Sequence, residues 1–169
     1  METFQKLFDD EKNDGFLELK VYEEFAKKVS KSKIEMTRFI ISLNEAVKFV
    51  LLALEKMQGG EIFIKKIPSM NILDIAKAIN PKPKLKYIGI RPGEKLHEQM
   101  ISEDDAVETY EFKNFFKIIS PALPITKKNK VIKGSKKVSE KFSYKSNSNK
   151  NWLNSKELKN WIKKNPYYF

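Results

Sequence analysis

The stretch from Ser42 to Ile67 constrains the fold most, because it spells out a helix, its start, its stop and the strand that follows. Ser42-Leu43-Asn44-Glu45 has the spacing of a capping box, in which the serine hydroxyl accepts from the Glu45 N–H and the glutamate side chain returns a bond. Leu43, Ala46, Val47, Val50, Leu51 and Leu54 then recur at three- and four-residue steps, the stripe of an amphipathic helix. Gln58-Gly59-Gly60 stops that helix. Glu61 to Ile67 is β-branched and aromatic, bounded by Gly60 and Pro68, and reads as a strand. A helix handing over to a strand across two glycines predicts an α/β arrangement.

The neighbouring segments extend the pattern. Met36 to Ile41 is a compact apolar run interrupted by Arg38, consistent with a buried strand or extended loop. A buried guanidinium is costly unless paired, so Arg38 calls for an acidic partner or a ligand. Leu73 to Ile79 reads as a second helix burying Ile75, Ala76 and Ile79, broken by Pro81-Lys82-Pro83. Lys84 to Ile90 reads as a strand feeding the Arg91-Pro92-Gly93 turn, after which Glu94, Lys95, His97 and Glu98 crowd the first turn of a short helix. Ser102-Glu103-Asp104-Asp105 is a second capping box, and Phe115 to Ile119 a last strand. Thr126 to Lys150 reads as a long exposed connection anchored by Val131, Ile132, Phe142 and Tyr144. Asn154 to Lys164 is an amphipathic helix with Leu158, Trp161 and Ile162 on one face and Glu157 near its cap. Near the start, Phe4, Leu7 and Phe8 have helical spacing, ended by Asn13-Asp14-Gly15.

At 169 residues and 41% hydrophobic content, the chain can bury a core without staples. It has no cysteine, which excludes a disulfide framework, a thiolate zinc site and a cysteine nucleophile. The longest apolar run, Phe49 to Leu54, is far short of the ~20 residues of a membrane span, and the Met1 end lacks the pattern of a signal peptide. A cytoplasmic location is the expectation. The formal charge of +11 raises a nucleic-acid-binding alternative, but its lysines are spread over every segment. Arg38 and Arg91 are the only arginines. Bidentate phosphate contact is a task lysine does poorly, so each is a candidate for it. Around Arg91, the exposed Gly93 N–H and the Glu94 carboxylate would suit an anion that also carries hydroxyls.

Catalytic machinery is harder to find. There is no Gly-rich dinucleotide fingerprint and no Gly-rich Lys-Ser/Thr loop. His97, the sole histidine, has neither a serine in a strained elbow nor a second histidine at helical spacing. Tyr22, Tyr87, Tyr110 and Tyr144 each lack a lysine four residues on. The acids from Glu103 to Asp105 belong to a helix start, where acids are favoured. No catalytic residue and no metal ligand is assigned.

Met36-Thr37-Arg38-Phe39-Ile40-Ile41-Ser42-Leu43, Gln58-Gly59-Gly60-Glu61-Ile62-Phe63, Lys66-Ile67-Pro68-Ser69-Met70, Gly89 to Ala106, and Phe142-Ser143-Tyr144 before Trp152-Leu153 occur in an order that carries a resemblance. Together they resemble the C-terminal half of the inverting UDP-N-acetylglucosamine 4,6-dehydratases, extended short-chain dehydrogenase/reductases alongside the CapD-type polysaccharide-biosynthesis proteins. The resemblance runs from about Met36 to the end; Met1 to Lys33 fits poorly. It implies an α/β C-terminal substrate-binding lobe whose Rossmann lobe, with NADP or NAD and the tyrosine-lysine pair, is absent. On this reading residues 1–35 are a poorly matched segment, 36–123 the nucleotide-sugar-binding lobe, and 124–169 a basic connection with a docking helix.

By motif position the resemblance implies that Arg38 and Arg91 contact the diphosphate of a UDP-sugar, that Glu94 takes a ribose hydroxyl, and that His97 lies with them. In the complete family enzyme the sugar is oxidised at C4, loses water across C5 and C6, and is reduced at C6 with inversion at C5. This chain alone is expected to bind no cofactor and to perform no dehydration. The implied partners are a UDP-sugar, a separate Rossmann-lobe polypeptide and, in the complete enzyme, further copies in a homo-oligomer. Beside the nucleic-acid-binding alternative stands an interaction module, whose bare apolar surfaces bind another subunit.

Overall fold

The computed structural model describes residues 36–83 and 92–164. In chain order its elements are β1 (Thr37–Phe39), α1 (Leu43–Lys56), β2 (Ile62–Lys65), β3 (Ser69–Asn71), α2 (Ile72–Ile79), β4 (Gln99–Ile101), α3 (Glu103–Ala106), β5 (Thr109–Glu111), β6 (Phe115–Ile118), α4 (Ile125–Val131), β7 (Lys136–Lys137), β8 (Tyr144–Lys145) and α5 (Ser155–Lys164). They fall into two compact units, each assembled from separate stretches of chain. No helix among the described residues is long and apolar enough to cross a membrane.

Among the described residues, the first unit includes Met36 to Arg38, 69–83, 92–97 and 152–164. Here β1 pairs with β3, and the Ile72 N–H donates to the Met36 carbonyl at 3.0 Å. Met36, Ser69 and Met70 are buried at this centre. The Asn71 side chain caps α2 by accepting from the Leu73 N–H. The buried residues of α2 are Ala76 and Ala78, whereas Ile79 is exposed and Ile75 only half-buried. The small face is the one turned inward, and α5 packs against α2 with Leu158 buried. Asn154 and Glu157 exchange bonds at the start of α5, each backbone N–H donating to the other's side chain.

The second unit comprises Phe39 to Pro68 and Glu98 to Asn151. Its antiparallel sheet runs β2-β6-β5-β7, with Ile62 opposite Ile118 and Lys65 opposite Phe115. Ile64, Ile101, Phe116 and Tyr144 form its main core, flanked by Phe39, Ile118, Val138 and Phe142. A second cluster joins Tyr110, Ile119 and Val131. The connection read as exposed therefore folds into α4, β7 and β8, held by the anchors the sequence marks. It was legible only as anchors because α4, Ile-Thr-Lys-Lys-Asn-Lys-Val, has no apolar stripe and buries Val131 alone.

The long helix begins and ends where its signals place it, with two differences. Ser42 accepts from the Glu45 N–H at 3.1 Å, but the glutamate's return contact is from the Ser42 hydroxyl rather than the backbone N–H. No residue of α1 is buried, and its apolar stripe faces outward. Glu61 organises the stop: its carboxylate accepts from the Gln58 and Gly59 N–H groups. Gly59 and Gly60 take φ values of +112° and +81°, conformations that side chains disfavour. At Ser102 the capping box is complete and opens α3. The strand expected over 84–90 lies outside the described residues.

Candidate functional site

β1 and the loop after Gly93 build the site within the first unit. Gly93 has φ +81°, which lets the chain reverse after Pro92. The short helix expected after this turn does not form. Residues 94–98 run as a loop because tertiary pairing claims their backbone: the Thr37 N–H donates to the Leu96 carbonyl at 3.1 Å, and Thr37 bridges to His97.

Arg38 and Glu94, separated by 56 residues, meet at 3.4 Å through Nη2 and Oε1. The guanidinium also donates from Nη1 to the Thr37 carbonyl at 2.8 Å and to the Leu96 carbonyl at 3.3 Å, and from Nη2 to the Met36 sulfur at 3.3 Å. Backbone carbonyls thus hold the fork in place without neutralising it, and its positive charge faces the Glu94 carboxylate. The side chains of Arg38 and Glu94 remain 20% and 31% exposed, so the pair is reachable by solute. Arg38 thereby has the acidic partner its partial burial calls for.

His97 Nδ1 lies 2.8 Å from the Thr37 hydroxyl, which ties the loop to β1. Thr37 itself is buried. The structure therefore brings Arg38, Glu94 and His97 to one place around Thr37, a residue that sequence reasoning did not single out. The signal available was its position in Met-Thr-Arg-Phe, where a β-branched hydroxyl precedes the arginine. Arg91 lies outside the described residues. In the second unit, the Glu98 carboxylate accepts from the Phe39 N–H at 2.6 Å and so fixes the chain just after Arg38, while its backbone N–H donates to the Ser146 hydroxyl and its carbonyl accepts from the Ser146 N–H. The acids at 103–105 open α3, and Asp105 is held below the usual carboxylate range by the Ser102 hydroxyl and N–H.

These units define a mixed α/β protein. The crystal structure of Pen from Bacillus thuringiensis has a similar fold, with a TM-score of 0.71 over 96% of this chain and 45% of that one, at 23% identity. The chain belongs to the polysaccharide biosynthesis protein family, whose model matches residues 20–120 and so begins upstream of the Met36 motif. It is 49% identical over 145 residues to the inverting UDP-N-acetylglucosamine 4,6-dehydratase of Campylobacter jejuni serotype O:2, covering 82% of this chain and 43% of that protein. A second C. jejuni dehydratase, from serotype O:23/36, is 46% identical over the same shares. The UDP-glucose 4-epimerase of Rickettsia bellii is 34% identical over 73% of this chain and 37% of that enzyme. The chain thus spans less than half the length of these relatives.

Proposed function

We propose that this chain is the nucleotide-sugar-binding part of a UDP-N-acetylglucosamine 4,6-dehydratase acting in surface polysaccharide or glycan sugar biosynthesis. The observation that carries this reading is the Arg38–Glu94 pair, in which a backbone-held guanidinium sits beside a solvent-reachable carboxylate. A diphosphate needs the fork, and a ribose hydroxyl needs the acceptor. Arg38 and Arg91 take the diphosphate, Glu94 takes the ribose hydroxyl, and His97 holds the loop bearing Glu94 against Thr37. The nucleotide-sugar lobe corresponds to residues 36–123, with the basic segment after it serving to connect and dock. Support comes also from the 49% identity to the Campylobacter dehydratase.

NADP or NAD belongs to the complete enzyme on this reading. The residues present do not fit a nicotinamide dinucleotide, because the sequence has neither a Gly-rich fingerprint nor a tyrosine with lysine four residues on among Tyr22, Tyr87, Tyr110 and Tyr144. No hydride step is assigned to this chain. Calorimetric titration with UDP tests the binding role. A charge-assisted hydrogen bond contributes about 1.5–3 kcal/mol, so Arg38→Ala and Arg91→Ala should each weaken UDP binding by about tenfold to a hundredfold. Unchanged affinity in both variants would overturn the assignment.

A further inference from the structure

A cavity of about 710 Å³ opens within the second unit, between the end of β2, the β5–β6 turn, β7 and the chain after β8. None of the residues around Arg38 lines it. Its walls carry six lysines, at 65, 66, 113, 136, 137 and 150, and a single acid, Glu111. That acid is already engaged. Lys66 Nζ donates to Glu111 Oε1 at 2.7 Å and to the Phe112 carbonyl at 2.8 Å, although β5–β7 pairing sets Glu111 opposite Lys136. With the Lys66–Glu111 pair set aside, five lysines remain around the cavity. Lys65 faces the Glu45 carboxylate at 3.9 Å, and Lys113, Lys136, Lys137 and Lys150 make no ion pair among the described residues.

Like charges gathered around one concavity repel one another, and a bound anion relieves that repulsion. The groups on the walls narrow the kind of anion. An ammonium is a compact point charge without the planar fork of a guanidinium, so a lysine site selects charge density rather than a flat two-oxygen shape. Ser139, Ser143 and Ser148 add hydroxyls that make no hydrogen bond among the described residues. The aromatic floor adds no stacking platform: Phe116 and Tyr144 are buried, and Phe142 is half-buried against Phe116 with ring centroids 5.2 Å apart. Single-stranded nucleic acid binds where bases stack on open rings, so this floor argues against it. The volume suits a small molecule. A carboxylate brings one charge, whereas a terminal phosphate carries about −1.5 to −2 near pH 7 and each linked phosphate adds more. Linked phosphates therefore match five cations around so small a space.

We propose that this cavity is a second anion site, distinct in its residues from the one around Arg38, and that its ligand is a chain of condensed phosphates. Lys113, Lys136, Lys137 and Lys150 hold the phosphate oxygens together with the half-buried Lys65, and the serine hydroxyls donate to them. The proposal stands independently of the nucleotide-sugar reading.

Sodium tripolyphosphate, free of divalent cations, would be titrated calorimetrically into the full chain carrying Arg38→Ala and Arg91→Ala, which silences the other phosphate site. One tripolyphosphate should bind per chain. Adding Lys136→Gln with Lys137→Gln should weaken binding by at least about tenfold. Lys127→Gln with Lys130→Gln removes the same charge from exposed positions of α4 outside the cavity and should leave affinity unchanged. Circular dichroism would confirm that each variant is folded; if the 136–137 pair is not, Lys113→Gln with Lys150→Gln carries the same expectation. Absence of binding in the arginine double variant, or equal weakening by the cavity and α4 pairs, would overturn the proposal. Adenosine triphosphate then distinguishes the carrier of the chain. Competition with tripolyphosphate assigns a nucleotide-borne chain and lack of competition a free one, and both support the proposal. A single-stranded oligonucleotide that depends on the same lysines and binds more tightly than tripolyphosphate would make the cavity part of a nucleic-acid surface and overturn it.

Discussion

The Tyr144 hydroxyl accepts from the Ile67 N–H and donates to the Ile67 carbonyl, both at 2.9 Å, in the interior of the second unit. Asn149 donates to the same carbonyl, so that oxygen keeps a partner without the tyrosine, but the Ile67 N–H does not. Tyr144→Phe should therefore cost about 1–3 kcal/mol in urea denaturation, the range for stranding a buried donor. Burial pushes the phenol above its ordinary pKa, with the Ile67 contact pulling the other way. The folded state thus keeps the phenol proton longer than the unfolded one. Stability from this residue is complete below about pH 10 and falls as pH rises past that value, because the unfolded chain then binds fewer protons. Denaturation of the wild type and Tyr144→Phe at pH 9 and pH 11 would show it as a larger loss in the wild type than in the variant.

At the scale of elements, β6 carries the opposite pH response. Lys117 is buried, its ammonium 4.5 Å from the Phe63 ring centroid and 5.3 Å from that of Phe112. Burial lowers its pKa, Glu61 opposes that shift, and Lys56 adds to it. Between the lowered value and about pH 10.4 the unfolded chain binds more protons, so stability rises with pH in that window. Lys117→Met should remove the rise, and a variant that kept it would contradict this account. The element also illustrates what sequence reveals. Phe115 to Ile119 is legible as a strand because β-branched and aromatic residues cluster, whereas β5, only Thr-Tyr-Glu, becomes a strand through pairing with β6 and carries little pattern of its own. The bounds of α1 were legible from Ser42 and the glycines because these act locally. Its exposed stripe was not, since periodicity states that a face is apolar and not what covers it. For the same reason Arg38 and Glu94 could be marked as chemistry-bearing residues, but their meeting at 3.4 Å and the Thr37 contact depend on β1 pairing with a loop nearly 60 residues away.

The whole molecule joins the proposed nucleotide site with a chain that covers 43% of its dehydratase relatives. Binding and chemistry should therefore separate. A dehydratase must place a hydride acceptor and a base at the sugar, and general acid–base groups act only within hydrogen-bond reach of the proton they move. In this chain the only histidine is engaged with the Thr37 hydroxyl, and the buried Tyr144 hydroxyl is engaged with Ile67. Neither is an open proton-transfer group. The purified chain, incubated with UDP-N-acetylglucosamine and NADP, is expected to bind the nucleotide and to form no 4-keto-6-deoxy sugar by mass spectrometry. Adding the uncovered part of the Campylobacter enzyme should restore product formation, and Arg38→Ala should then raise the substrate concentration needed for half-maximal rate. Product formed by the chain alone would mean that it carries its own cofactor site and proton-transfer pair, and the division of labour proposed from Arg38 and Glu94 would have to be abandoned.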